Sequence, residues 1–167
     1  LILSRETLAK IFRGNISTWN HPDILITNPG HEIHLQNAGE IKVVVHATYN
    51  ILTQLFKNAL GVFDPIFKSQ IGDSGYSDWN GFPTSRLTLR EADAGTASHL
   101  NEHPNTIGYI SLSEADASKV GKVAIAPMNN TSTLISNEER KPIICSPAST
   151  QIAVNEKGLD FGNDGRS

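Results

Sequence analysis

Leu8–Gly30, LAKIFRGNISTWNHPDILITNPG, joins a short amphipathic helix, a glycine stop and a tryptophan-centred turn ending in Asn28-Pro29-Gly30. Just upstream, Ser4 is suited to cap the helix, and Glu6 places a negative charge in its first turn, where the helix dipole favours one. Leu8, Ile11 and Phe12 recur on one face at helical spacing, and Gly14 ends the run. After it, residues 15–40 read as loop, punctuated by Pro22, Pro29, Gly30 and Gly39.

Working outward, Ile41–Val45 is a β-branched run that predicts a buried strand. Asn50 then caps a second helix, with Ile51, Leu52, Leu55, Phe56 and Ala59 on its apolar side and Gly61 at its end. Residues 72–85, GDSGYSDWNGFPTS, predict a surface loop. A third helix is expected over Thr96–Glu102, closed by Pro104, then a strand over Thr106–Ile110, a helical turn or two over Ser113–Lys119, and strands at Val123–Ala126 and Lys141–Cys145. Alternating strands and helices indicate an α/β fold, a central β-sheet flanked by helices. The expected division is a lobe over residues 1–127 and a C-terminal extension over 128–167, with one packed strand and a frayed tail.

Composition bounds the rest. With 167 residues, 38% of them hydrophobic, the chain suffices for one domain or one lobe of a two-lobed protein. A net charge of −3 with no basic run argues against nucleic acid and against an anionic membrane surface. No apolar stretch approaches the length of a membrane span. Cys145 is the sole cysteine, so neither an internal disulfide nor a paired-cysteine zinc site is available. The chain opens at Leu1 without a signal peptide, which reads as a processed or excised piece. Asn15, Asn129 and Asn130 open N-glycosylation triplets, compatible with an extracellular setting.

In their order, Phe12, Gly14, Ile16, Trp19, Asn20, Pro22, Ile24 and Asn28-Pro29-Gly30 resemble the second lobe of PstS-like phosphate-binding periplasmic proteins. A second block, Gly95, Pro104 and Ile107-Gly108-Tyr109, matches the same family at the expected separation. The resemblance covers about residues 3–112. It implies one lobe of a type II periplasmic binding protein, a clam in which two α/β lobes close on a small anion.

In that family a strand equivalent to Val43–Val45 runs into an Arg-x-Asp-Gly-Ser-Gly-Thr loop that opens a helix. Helix-start N–H groups, hydroxyls and arginine hold the anion, and glycine admits the backbone. Here the loop reads His46-Ala47-Thr48-Tyr49-Asn50-Ile51-Leu52. Histidine stands for arginine, and two apolar residues stand where the cradle would be. The resemblance thus implies a ligand site at His46, Thr48, Tyr49 and Asn50 with degenerate anion chemistry, in which His46 would make anion binding pH-dependent.

Other groups carry less. His99 and His103 have a chelating i, i+4 spacing beside Glu102, but with no third ligand at matching spacing they read as a solvated helix face. His31 and His34 read as surface-loop residues, and Cys145 as a small core residue. Trp19 is expected as a buried anchor, whereas Trp79, Tyr76 and Phe82 form either an exposed aromatic patch or a loop folded onto its own aromatics. No Gly-x-Ser-x-Gly elbow, calcium loop or cofactor motif occurs, so no enzyme, metal or cofactor is expected.

The expected function is a non-enzymatic extracellular or periplasmic ligand-recognition module, the sensor part of a larger receptor or surface protein, free or membrane-anchored, with specificity moved away from phosphate. Two alternatives stand beside it: an interaction or assembly domain using the former cleft face, or a true phosphate binder lacking its first lobe. The implied partners are a phosphate-like anion or other small ligand, a second lobe or partner protein, and a second copy in a homo-oligomer.

Overall fold

The computed structural model describes residues 1–126. β1 (Ile2–Leu3) leads into α1 (Arg5–Phe12), which is capped as expected: the Ser4 hydroxyl accepts from the Thr7 amide at 3.0 Å. Gly14 takes φ 87°, and a side chain there would meet Pro83 Cδ at 2.7 Å, so two independent constraints demand glycine.

The segment expected as loop over 15–40 contains two short helices. α2 (Pro22–Leu25) starts on Pro22, its preset φ suited to that position, with His21 Nδ1 accepting from the Asp23 amide. α3 (Glu32–Ala38) buries no residue, which is why no apolar periodicity announces it. The Asn28 carboxamide accepts from Ile2 N at 2.8 Å and donates to Ile2 O at 2.7 Å. A side-chain amide thereby serves Ile2 as a neighbouring strand's backbone would. This accounts for the Asn in the Asn-Pro-Gly turn.

β2 (Lys42–His46) is the central strand, followed by α4 (Ile51–Phe63) and α5 (Pro65–Ile71). α4 does not stop at Gly61. Glycine is needed there for approach, since a Cβ would lie 3.2 Å from Lys68 Cβ of α5. The buried stripe of α4 is Thr53, Lys57 and Leu60, while Ile51 and Leu55 of the expected apolar side are each 59% exposed. β3 (Leu87–Arg90), α6 (Ala92–Glu102), β4 (Thr106–Gly108), α7 (Leu112–Ala117) and β5 (Ala124–Ile125) complete the described chain. β3 is an addition to the sequence reading, and α6 begins four residues before the expected Thr96. The expected strand Lys141–Cys145, the tail and the triplets at Asn129 and Asn130 lie outside the described residues.

Three strands form a parallel sheet in the order β3-β2-β4, and β1 pairs with β5 in a second parallel pair. In register, His46 faces Arg90 across β2 and β3, and Val44 faces Gly108 across β2 and β4. Val43 and Val45 point into the main core, where Phe12 meets the rings of Phe56 at 4.8 Å, Trp79 at 5.9 Å and Tyr109 at 6.3 Å. Trp19 is buried, and its indole N–H donates to Asn105 O.

Candidate functional site

β2 leaves through α4 and α5 to reach β3 on one side, and β3 returns through α6 to reach β4 on the other. Right-handed crossovers running in opposite directions send the two helical connections to opposite faces of the sheet. Where they part, at the carboxyl ends of β2 and β3, lies the topological switch point, the crevice position that ligands usually occupy in open α/β sheets. The residues there are His46 to Asn50 from β2, and Arg90 to Asp93 from β3.

His46 closes β2 and is 1% exposed. Its Nε2 lies 3.0 Å from Asp93 Oδ1, off the line of a good hydrogen bond, and Nδ1 has no hydrogen-bond partner among the described residues. Burial pushes the imidazole below its ordinary 6.5, and the Asp93 carboxylate pulls the other way. Tyr109 meets the His46 ring edge-on at 5.0 Å and shares a 2.7 Å hydrogen bond with the Thr53 hydroxyl. Burial raises its phenol above the usual value.

Thr48 and Tyr49 are exposed, and Asn50 is half-buried. Asn50 is extended, and its side chain accepts from the Leu52 amide at 2.8 Å while its own amide donates to Gly75 O at 2.9 Å. The helix start therefore keeps its capping geometry, but Asn50 and Leu52 spend their amide donors internally. The four residues expected at the site thus come from one strand-to-helix turn, with His46 beneath it and Thr48 and Tyr49 at the surface.

Arg90 was not among the expected residues. No arginine remains within residues 46–52, yet one stands at the end of the adjoining strand. Its guanidinium donates to Leu89 O and to His99 Nδ1, each at 3.0 Å. Asp93 was missed as well. Its Oδ2 accepts from the Ser111 amide, and it is presented by Ala92 at φ 54°, a conformation costing a non-glycine residue about 1 kcal/mol. No local pattern marks either residue, because strand register brings them to His46.

The 72–82 segment folds onto the core rather than presenting three rings. Trp79 and Phe82 are buried, and Tyr76 alone is exposed. Lys57 is fully buried beneath this loop, where its ammonium donates to Tyr76 O at 2.9 Å, Asp78 O at 3.1 Å and Asp78 Oδ1 at 2.6 Å, 4.9 Å from the Trp79 ring. Ser77 donates to Ala47 O at 2.8 Å, tying the loop to the site turn.

His99 and His103 stack with ring centroids 3.9 Å apart. They border a recess with Lys42, the first residue of β2, and His99 is tied to the site through its hydrogen bond with Arg90. His99 lies below its ordinary pKa through burial, then through His103, Arg90 and Lys42. No group of three metal-ligating side chains occurs among the described residues. His31 precedes α3 and His34 lies on it, both exposed, so a helix replaces the expected loop.

A profile described as the PBP superfamily domain matches residues 2–162. The phosphate-binding protein PstS of Xylella fastidiosa is 30% identical over 125 residues, covering 75% of this chain and 32% of that protein. The phosphate-binding protein PstS of Haemophilus influenzae is 27% identical over 128 residues, covering 75% of this chain and 35% of its own. A putative serine/threonine-protein kinase/receptor of Acanthamoeba polyphaga mimivirus is 29% identical over 109 residues, covering 65% of this chain and 7% of that protein. The chain spans about a third of the length of the PstS relatives. With its parallel sheet flanked by helices and its PstS-like signature blocks, the chain belongs to the PBP superfamily domain family and, within it, sides with the PstS-like phosphate-binding proteins.

Proposed function

We propose that this chain is a non-enzymatic ligand-recognition module, using the crevice at the carboxyl ends of β2 and β3, with a specificity other than phosphate. One observation carries this reading. Asn50 caps the turn at the fold's usual ligand position, and the buried His46 beneath it stands where the family resemblance implies a charged anion contact. A site without charge-assisted donors loses most of its hold on a small anion. A second lobe or partner chain completes the crevice. The similarity to a putative viral kinase/receptor supports a role as the sensor part of a larger protein, and the PstS-like relatives support an extracellular or periplasmic setting.

A backbone amide NMR titration with phosphate, sulfate, acetate, amino acids and sugars tests the proposal. At least one organic compound should shift Thr48, Tyr49, Asn50 and Asp93 saturably, and phosphate should leave them unmoved up to millimolar concentration. The proposal fails if no compound moves those residues, or if phosphate alone does. A second reading, an interaction domain, is favoured by the exposed Ile51, Leu55 and Val62 along α4. It predicts concentration-dependent self-association by light scattering with no response to any small molecule.

A further inference from the structure

Resting on the recognition reading above, we infer that the turn's ligand is a sugar ring, seated against a preorganised pair of tyrosines, Tyr49 and Tyr76. The two rings meet nearly edge to face, with centroids 5.1 Å apart and planes at 62°. They remain 55% and 62% exposed, although the backbone beneath both is pinned. Asn50 N bonds to Gly75 O, Ser77 bonds to Ala47 O, and the buried Lys57 ammonium holds Tyr76 O. Gly75 is shaped to this pair: a Cβ there would stand 2.7 Å from the Tyr49 ring. Glycine allows the Tyr49 ring to approach the loop this closely.

An exposed aromatic pair held this firmly offers apolar contact area at little further entropic cost. Tyr49 belongs to the turn that leaves β2, one residue from Thr48 and from Asn50. The surrounding charges disfavour an anion. Lys57 is committed to Asp78 and to carbonyls, Arg90 to Leu89 O and His99, and Asp93 faces the crevice end of β2. The steeply inclined rings leave no parallel slot between them for a flat aromatic ligand. The fit is to a neutral ring with a C–H face for the tyrosines and a hydroxyl rim for Thr48, Asn50 and the two phenols.

Saturation-transfer-difference NMR on the full chain tests this, with glucose, galactose, mannose and N-acetylglucosamine as probes and inorganic phosphate and indole as controls. At least one sugar should bind saturably through its C–H face. Tyr49→Ala and Tyr76→Ala should each weaken it tenfold or more, and Gly75→Ala should weaken it by displacing Tyr49. An unchanged thermal midpoint in the tyrosine variants shows that the fold persists. Binding of indole in place of sugars, or sugar binding indifferent to both tyrosines, overturns the inference. If the sugars fail but an amino acid or carboxylate binds at Thr48–Asn50, this inference falls while the recognition reading stands. If nothing binds, both fall.

Discussion

His46 is a titratable group held at a depth where its charged form is poorly solvated. Its folded-state pKa lies below the ordinary 6.5, so as the pH falls the unfolded chain takes up a proton first. Stability is therefore complete above pH 6.5, declines as the pH drops through that value, and levels off beneath the lower folded-state value. His99 adds to the decline with the same sign. Calorimetry should show a lower thermal midpoint at pH 5.5 than at 7.5, and His46→Gln should reduce the difference. Equal differences in both proteins would exonerate His46. The residue itself was legible from its place in the loop. Its neighbour Asp93 was not, because the two are 47 positions apart in sequence and meet only through β3 and α6.

At the level of elements, α4 and the 72–82 loop form one unit whose fastening is a lysine. Lys57→Met keeps the length and removes the ammonium, leaving two carbonyls without their donor and Asp78 with only the Ser74 hydroxyl. Because the ammonium is buried while Asp78 is partly open to solvent, breaking this charge-assisted set should cost about 1–3 kcal/mol in urea denaturation. It should also open the loop to limited proteolysis. A loss within about 0.5 kcal/mol, the range of ordinary surface changes, would show that the ring packing alone holds the loop. Sequence read the ends of elements well where the signal is local, as at Ser4 and Asn50, whose caps both form. It missed β3, whose Leu-Thr-Leu-Arg run lies only partly buried at a sheet edge, and α3, which rests only Leu35 and Ala38, partly buried, on the core. It placed Leu52 and Phe56 of α4 against the core but also expected Ile51 and Leu55 there, and it missed Lys57, because a hydropathy stripe cannot foresee that a lysine is drawn inward by carbonyls on another segment.

Across the whole molecule, Phe12 is where α1, α4, the aromatic loop and the end of β4 converge. Phe12→Ala should lower the unfolding free energy by about 3–5 kcal/mol, read from chemical denaturation. The effect should appear equally in tryptophan fluorescence and in far-ultraviolet dichroism, since one core serves every layer. Divergent transitions from the two probes would indicate separate folding units. The fold class followed from alternation and from two short signature blocks, whereas the chemistry of the crevice waited on register. That asymmetry is physical: scaffold motifs are contiguous, and the site is assembled from the ends of separate strands.

The paired contacts between Asn28 and Ile2 bear on how this protein ages. Asparagine degrades most readily when the following backbone nitrogen attacks its side-chain amide. Pro29 has no N–H to make that attack. Conversion to aspartate would replace the donor to Ile2 O with a negative charge and undo the fastening of the first strand. The proline after Asn28 thus acts as a chemical preservative for the residue that anchors the N-terminal strand.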